Sequence, residues 1–257
     1  MVKRVDTTVV WIAMLAVAVC AGAAFPFQDE GQWHGGSPSL DQLKLGFNAM
    51  GAGDFEAALG HYETALERAS TRELEFQSLV GIGSAYQALD RLDDARKAYH
   101  RALEIKPDNP PTLYSLGMVA KWQNRFDDAA RLFARAAIND PELSAALTQL
   151  GVVYEHEGRH EEAADACWRA VSKDPEDTEA LLCLGVARYH LGLYIEASSA
   201  FEAVLEIDAE SARARYSLGL CKLLNGDRDG AISQYVALKE LDPDLARDLY
   251  QRIFPEP

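Results

Sequence analysis

The sequence predicts an all-α protein built from six tandem helix-turn-helix repeats, and three aligned columns of residues carry that prediction. Glycines recur every 34 residues, each preceded by Leu or Ile: Gly83, Gly117, Gly151, Gly185 and Gly219, with Gly46 lying 37 residues before Gly83. An alanine follows each glycine by 12 residues: Ala58, Ala95, Ala129, Ala163, Ala197 and Ala231. Four residues later stands an aromatic side chain, or a cysteine in repeat four: Tyr62, Tyr99, Phe133, Cys167, Phe201 and Tyr235. A fixed period with this many aligned columns indicates a repeat array.

The same columns place two helices in each repeat. The Leu-Gly pair belongs to the first helix, where the missing side chain admits a close neighbour and offsets a helix cost of about 1 kcal/mol. First helices are predicted over residues 40–52, 77–89, 111–123, 145–157, 179–191 and 213–225. Second helices are predicted over residues 54–68, 93–105, 127–139, 161–173, 195–207 and 229–241. Sustained alternation with a period of two is missing from the sequence, so no sheet is expected.

Two further columns mark where the helices end. Seven residues after each glycine stands a residue type that tolerates a left-handed backbone, which predicts the turn between the helices: Gly53, Asp90, Asn124, Gly158, Gly192 and Gly226. A proline, which cannot continue a helix, closes four of the second helices: Pro107, Pro141, Pro175 and Pro243.

The N-terminal segment differs in composition from the repeats. Residues 1–24 have the layout of a secretory signal peptide, with Lys3 and Arg4 at the start, an apolar centre and small residues at 21–24. Two alternatives stay open: an uncleaved membrane anchor, since the uncharged run is long enough to span a bilayer, and lipidation at Cys20. All three outcomes predict an extracytoplasmic protein. Residues 25–38 are predicted to be a flexible linker because Gly, Ser and Pro are frequent there.

The remainder of the chain divides into repeats and a cap. The repeats are predicted over residues 39–72, 76–109, 110–143, 144–177, 178–211 and 212–245, and residues 246–257 are predicted to form a capping helix and tail. Leu245, Leu249 and Ile253 recur at helical spacing. They are expected to cover the last repeat, since each repeat of a solenoid buries its apolar face only against a neighbour.

Three cysteines would remain after signal cleavage: Cys167, Cys183 and Cys221. An odd number at unrelated spacings does not indicate a disulfide framework. The favoured interpretation is therefore that all three are small buried apolar residues. A bridge between Cys167 and Cys183, across adjacent helices, is the alternative.

The charge of the chain disfavours one class of partner. The formal net charge is −15, without a block of like charges, which is typical of a solvated helical surface. Nucleic-acid binding needs clustered Lys and Arg, so no nucleic-acid partner is expected. Strong negative charge favours a cationic or neutral partner.

The column pattern, which also includes Ala65, Ala102, Ala136 and Ala170, resembles the tetratricopeptide repeat family over residues 39–245. The resemblance implies a right-handed superhelical solenoid whose first helices line a concave, peptide-binding face. The family's groove positions correspond here to Tyr114, Met118, Lys121, Trp122, Val152, His156, Tyr189, His190, Arg213 and Tyr216. Aromatic and Met side chains on such a face suit an apolar or amphipathic peptide. The carboxylate clamp of chaperone adaptors is not expected, because its places hold Leu43, Phe47 and Gly81.

One string imitates a metalloprotease motif. His156-Glu157-Gly158-Arg159-His160 matches His-Glu-x-x-His, which binds zinc only when both histidines share one face of a continuous helix. Gly158 falls at a predicted turn, so the two imidazoles are expected to diverge. No catalytic, metal or cofactor site is therefore predicted.

The predicted function is that of a non-catalytic, extracytoplasmic scaffold or adaptor that binds a peptide or a partner protein in its groove. The alternative is a membrane-anchored or lipidated structural subunit of an envelope assembly. Contact with a membrane is expected only through the N-terminal segment, if that segment is uncleaved or lipidated.

Overall fold

The computed structural model describes residues 38–255, which form two compact units with their boundary between Pro141 and Glu142. In the first unit the helices are α1 Pro38–Ala52, α2 Phe55–Glu67, α3 Arg72–Ala88, α4 Leu92–Ile105, α5 Pro110–Trp122 and α6 Phe126–Asn139. In the second unit they are α7 Ser144–His156, α8 His160–Lys173, α9 Thr178–His190, α10 Tyr194–Ile207, α11 Ala212–Leu224, α12 Arg228–Leu241 and α13 Pro243–Ile253. Residues 38–255 contain no β-strand. No helix among them is both long enough and apolar enough to cross a bilayer.

Each unit contains three helix pairs, and the packing follows chain order. Within a unit every helix packs against the next one, and each first helix also packs against the first helix of the following pair. This is the contact pattern of a solenoid, in which a repeat buries its apolar face against its neighbours. The signal-peptide prediction (1–24), Cys20 and most of the predicted linker (25–38) lie outside the described residues, and Pro38 already belongs to α1.

The turn column behaves as expected in all six pairs. Every one of its residues has a positive φ, between 58° and 84°: Gly53, Asp90, Asn124, Gly158, Gly192 and Gly226. A left-handed residue at this point ends the first helix and reverses the chain within three residues. The aspartate and the asparagine adopt the conformation because their short polar side chains tolerate it.

The three extra residues between Gly46 and Gly83 lengthen one helix. We predicted the first helix of the second repeat over 77–89, whereas α3 covers Arg72–Ala88. The Thr71 side chain accepts a hydrogen bond from the backbone N–H of Leu74 and caps the helix there. The insertion is thus absorbed as additional helical residues. The bounds predicted for the other repeat helices agree with the structure to within two residues, whereas the terminal helix, predicted from residue 246, begins at Pro243.

The glycine and aromatic columns pack against each other. A Cβ added to Gly83 would stand 2.6 Å from Cε1 of Tyr99, so only glycine admits the ring. The same pairing occurs three more times: Gly46 with Tyr62, Gly117 with Phe133 and Gly185 with Phe201. The close neighbour that we expected beside the first helix is therefore an aromatic ring of the second helix.

A disulfide replaces the ring in repeat four. Cys167 of α8 and Cys183 of α9 are bonded to each other, and a Cβ at Gly151 would stand 2.1 Å from the Cys167 sulfur. The favoured interpretation of both as free apolar residues was therefore wrong, since the turn between α8 and α9 brings their Cα atoms to 6.1 Å. Cys221 is a free, buried thiol, and burial raises its pKa to about 11.

The terminal helix α13 caps the second unit. Asp242 accepts backbone N–H bonds from Asp244 and Leu245 and so begins the helix. Leu249 and Ile253 are buried, and Leu249 occupies the space at Gly219 that a ring fills in other repeats. The expected cap is present, and its leucine takes the role of an aromatic residue.

Candidate functional site

The predicted groove residues of the first unit lie on α5. Trp122, Lys121 and Tyr114 are each partly exposed, and the Tyr114 ring packs against Phe133 with 5.6 Å between centroids. Met118 is only 5% exposed, so its assignment as a ligand contact was wrong. A buried thioether stabilises the core but offers no surface to a peptide.

The predicted groove residues of the second unit lie on three first helices. Helix α7 carries Val152 and His156, α9 carries Tyr189 and His190, and α11 carries Arg213 and Tyr216. His156, His190 and Arg213 are exposed, and the other three residues are partly exposed. Because α7 packs against α9, and α9 against α11, these residues belong to successive helices of one layer. We call them the second-unit face.

His190 of this face forms a polar cluster with Glu155 of α7 and His160 of α8, and the sequence did not predict this cluster. Glu155 accepts from His160, with 3.0 Å between Oε2 and Nδ1, and lies 3.4 Å from Nε2 of His190 through Oε1. The two imidazole rings stack with 4.5 Å between centroids. Glu155 therefore contacts both imidazoles, and the His190 side chain remains 45% exposed. The sequence placed these residues in adjacent repeats but gave no sign that His160 reaches across.

The metalloprotease-like string is broken by the fold. Helix α7 ends at His156, Gly158 has a φ of +73°, and α8 begins at His160. The string therefore does not lie on one continuous helix. Among residues 38–255 no group of three or more His, Cys, Asp or Glu is arranged to hold a metal ion.

Tyr216 is engaged by the cap. Its hydroxyl donates to the Asp248 carboxylate of α13, and Arg252 donates to the same carboxylate at 2.7 Å. Burial and this hydrogen bond raise the pKa of Tyr216 to about 12. The bonds from Tyr216 and Arg252 lower the pKa of Asp248. Of the residues on the second-unit face, Tyr216 is thus the one that holds the cap in place.

Comparisons with known proteins identify the repeat. One family model described as tetratricopeptide repeat matches residues 114–178 and 184–246, and a second with the same description matches residues 42–108. Together these matches cover well over half of the chain. No curated protein sequence matches it.

Solved structures share the fold. PilF of Pseudomonas aeruginosa aligns with a TM-score of 0.70 at 21% identity, over 83% of this chain and 96% of PilF. YrrB, described as a TPR protein with an unusual peptide-binding site, aligns with a TM-score of 0.66 at 24% identity, over 74% and 97% of the two chains. MamA aligns with a TM-score of 0.58 at 25% identity, over 66% and 95%. The packed glycine and aromatic columns, the family models and these structures lead to one conclusion: the chain belongs to the tetratricopeptide repeat family.

Proposed function

We propose that the protein is a non-catalytic, extracytoplasmic interaction scaffold that binds a peptide segment of a partner protein on the second-unit face. One observation carries this proposal. Three successive first helices leave Val152, His156, Tyr189, His190 and Arg213 partly or fully exposed. First helices of tetratricopeptide repeats generally serve protein interaction, and these side chains are accessible to a ligand.

The chemistry of this face suits an amphipathic peptide. Val152 and the Tyr189 ring offer apolar area, and tyrosine is a residue type that is enriched at interfaces. His156, His190 and Arg213 offer hydrogen-bond donors at the edges of that area. The ring of Tyr189 is supported by edge and tilted contacts with His190 and Tyr194, which lowers the entropy lost when a ligand binds.

Two observations support the extracytoplasmic location. Residues 1–24 have the pattern of a secretory signal, and the disulfide between Cys167 and Cys183 is a bond that persists in oxidising compartments. Mass spectrometry of the native protein distinguishes the three states of the N-terminus by mass. A cleaved chain lacks about 24 residues, an anchored chain keeps them, and a lipidated chain begins at a modified Cys20. Recovery of the full chain in the cytoplasm with reduced cysteines would contradict the location.

Site-directed photocrosslinking tests the binding role. The full chain carries a photoreactive phenylalanine analogue at Tyr189, or at Trp122 for the first unit, and is irradiated in cells of its source. Trp168 lies on the second helix α8 and is 54% exposed, so the same analogue there is the matched control. We expect one partner to crosslink at Tyr189 and not at Trp168. Equal crosslinking at Tyr189 and Trp168, no crosslink at Tyr189, or a crosslink at Trp122 alone would contradict the proposal.

A further inference from the structure

The turn of repeat five differs from the corresponding turn of every other repeat. Eight residues after the repeat glycine, the other five repeats carry a charged side chain: Asp54, Arg91, Arg125, Arg159 and Asp227. Ten residues after the glycine they carry a carboxylate: Glu56, Asp93, Asp127, Glu161 and Asp229. Repeat five has Leu193 and Ile195 at these two positions. Repeat five thus has apolar residues at two positions where charged side chains face solvent in the other repeats.

Both replacements are exposed. Leu193 is 44% exposed and Ile195 is 65% exposed, and Leu191 on the other side of the turn is 36% exposed. Leu191 and Leu193 lie in the turn between α9 and α10, and Ile195 lies in the first turn of α10. We call them the repeat-five edge. Single exposed apolar residues are common on proteins, but a contiguous group is typical of an interaction site.

The charges around the repeat-five edge are predominantly negative. Glu196 follows Ile195 directly, and Glu161 and Asp229 hold the equivalent position in the repeats before and after. All three are exposed, and within residues 38–255 their carboxylates have no ion-pair partner.

One cation lies beside the edge, because the Arg188 guanidinium of α9 donates to the backbone carbonyl of Glu196 at 3.4 Å. Two further cations are already paired with other carboxylates. Arg159 pairs with Glu162 and Glu157, and Lys222 pairs with Glu202 and Asp227. Glu161, Glu196 and Asp229 therefore outnumber Arg188, which among the described residues of the second unit is the cation beside the edge, and the charge around the edge is negative on balance.

We propose that the repeat-five edge is a second docking site, separate from the second-unit face, for an amphipathic basic segment of a partner protein. Apolar side chains of that segment cover Leu191, Leu193 and Ile195, which removes their exposed area from water. Lysine or arginine side chains beside them meet Glu161, Glu196 and Asp229. Charge complementarity selects this partner over an acidic segment and over a second copy of a chain with a net charge of −15.

A synthetic helix of leucine and lysine, with a twin in which glutamate replaces every lysine, serves as the probe. The full chain is titrated into each labelled peptide and binding is followed by fluorescence anisotropy. The test variant is Leu193→Arg with Ile195→Asp, which installs the residue types that repeat three has at these two positions, Arg125 and Asp127. This exchange leaves the net charge unchanged, so a change in affinity reports the edge and not bulk charge. Trp168→Ala, which removes an exposed apolar side chain elsewhere in the second unit, is the control.

We expect the basic peptide to bind the native chain and Trp168→Ala equally. It should bind the double variant at least about tenfold more weakly, because the variant lacks two aliphatic side chains that the bound peptide would cover. The affinity of the acidic twin for the native chain should be no higher than that of the basic peptide for the double variant. Equal affinity of the native chain and the double variant, or equal affinity for the two peptides, would overturn the proposal. So would a dimer in sedimentation that the double variant abolishes, since a second copy would then cover the edge. If the double variant melts early, Ile195→Asp alone repeats the test at the most exposed position.

Discussion

Two of the three tyrosines in the aromatic column, Tyr62 and Tyr99, differ in whether their hydroxyl group is hydrogen-bonded. The Tyr99 hydroxyl donates to Gln87 at 2.9 Å and lies 3.1 Å from the Ser84 hydroxyl. The Tyr62 hydroxyl is buried and has no hydrogen-bond partner in the part of the chain that the structure describes. The reason is visible in the sequence, because repeat one has Phe47 and Met50 at the positions of Ser84 and Gln87. Desolvation raises the pKa of Tyr62.

This difference predicts opposite effects for the same substitution. Tyr99→Phe leaves two buried polar groups without a partner and should cost about 1–3 kcal/mol of unfolding free energy. Tyr62→Phe removes an unsatisfied hydroxyl and should leave the stability unchanged or raise it by up to about 1 kcal/mol. Denaturant unfolding of both variants measures the difference. Equal destabilisation would show that the Tyr62 hydroxyl has a partner.

Residue types identified some parts of the site and not others. The turn column was predictable, because only a few residue types tolerate a positive φ and they occur here at a fixed spacing. Met118 was misassigned because periodicity gives the helix face but not how deeply a neighbour covers it. The contact of Glu155 with His160 and His190 depends on side-chain rotamers on three helices, which the spacing of residues in the sequence does not specify.

At the scale of elements, the link between α8 and α9 is covalent where other repeats use an aromatic ring. The disulfide closes a loop with a sequence separation of 16 residues. Closing a loop of this size lowers the entropy of the unfolded chain and so stabilises the folded state by about 3 kcal/mol. Reduction should therefore loosen the second unit, because repeat four has no ring to fill the space beside Gly151.

A double substitution tests whether the disulfide replaces the ring. Cys167→Phe with Cys183→Ser installs the residues of repeat three at both positions, Phe133 and Ser115. The melting temperature of the native chain should fall on reduction, whereas that of the double variant should not respond to a reductant. Cys221→Ser, which keeps the bond, is the control and should respond as the native chain does. A native chain whose melting temperature ignores reductants would contradict this role.

The cap should be sensitive to acid through Asp248. Its carboxyl has a lowered pKa in the folded state because of bonds from Tyr216 and Arg252. Its contribution is therefore complete above the unfolded pKa of about 3.9 and is lost as the pH falls through the lower folded value. At pH 7, Asp248→Asn should be less stable than the native chain by no more than about 1 kcal/mol, since the pair is partly exposed.

Thermal melts between neutral pH and pH 2 measure this effect. The difference between Asp248→Asn and the native chain should disappear at the acid end of the series. Glu240→Gln removes one exposed carboxylate from α12 and is the charge-matched control, which should show no such difference. A deficit of Asp248→Asn that persists at pH 2 would mean that the carboxylate charge is irrelevant.

For the whole molecule, the succession of helix pairs was predictable and the division into units was not. Each pair is specified by local columns, so the sequence pattern located nearly all helices correctly. Pro141, the last residue of the first unit, belongs to the same proline column as Pro107 and Pro175. The residue types of that column give no sign that one of these prolines is a boundary. Division into compact units depends on contacts between distant residues, which a repeat pattern leaves unspecified.

The central claim is that the protein works by binding a partner through the second-unit face. The most direct measurement is the affinity of the full chain for the partner captured at Tyr189, determined by calorimetry for the native chain, Tyr189→Ala and Trp168→Ala. We expect Tyr189→Ala to weaken binding by about tenfold or more, as loss of a central interface aromatic does, with an unchanged melting temperature. Trp168→Ala should bind as the native chain does. Equal affinity of the native chain and Tyr189→Ala would contradict the claim.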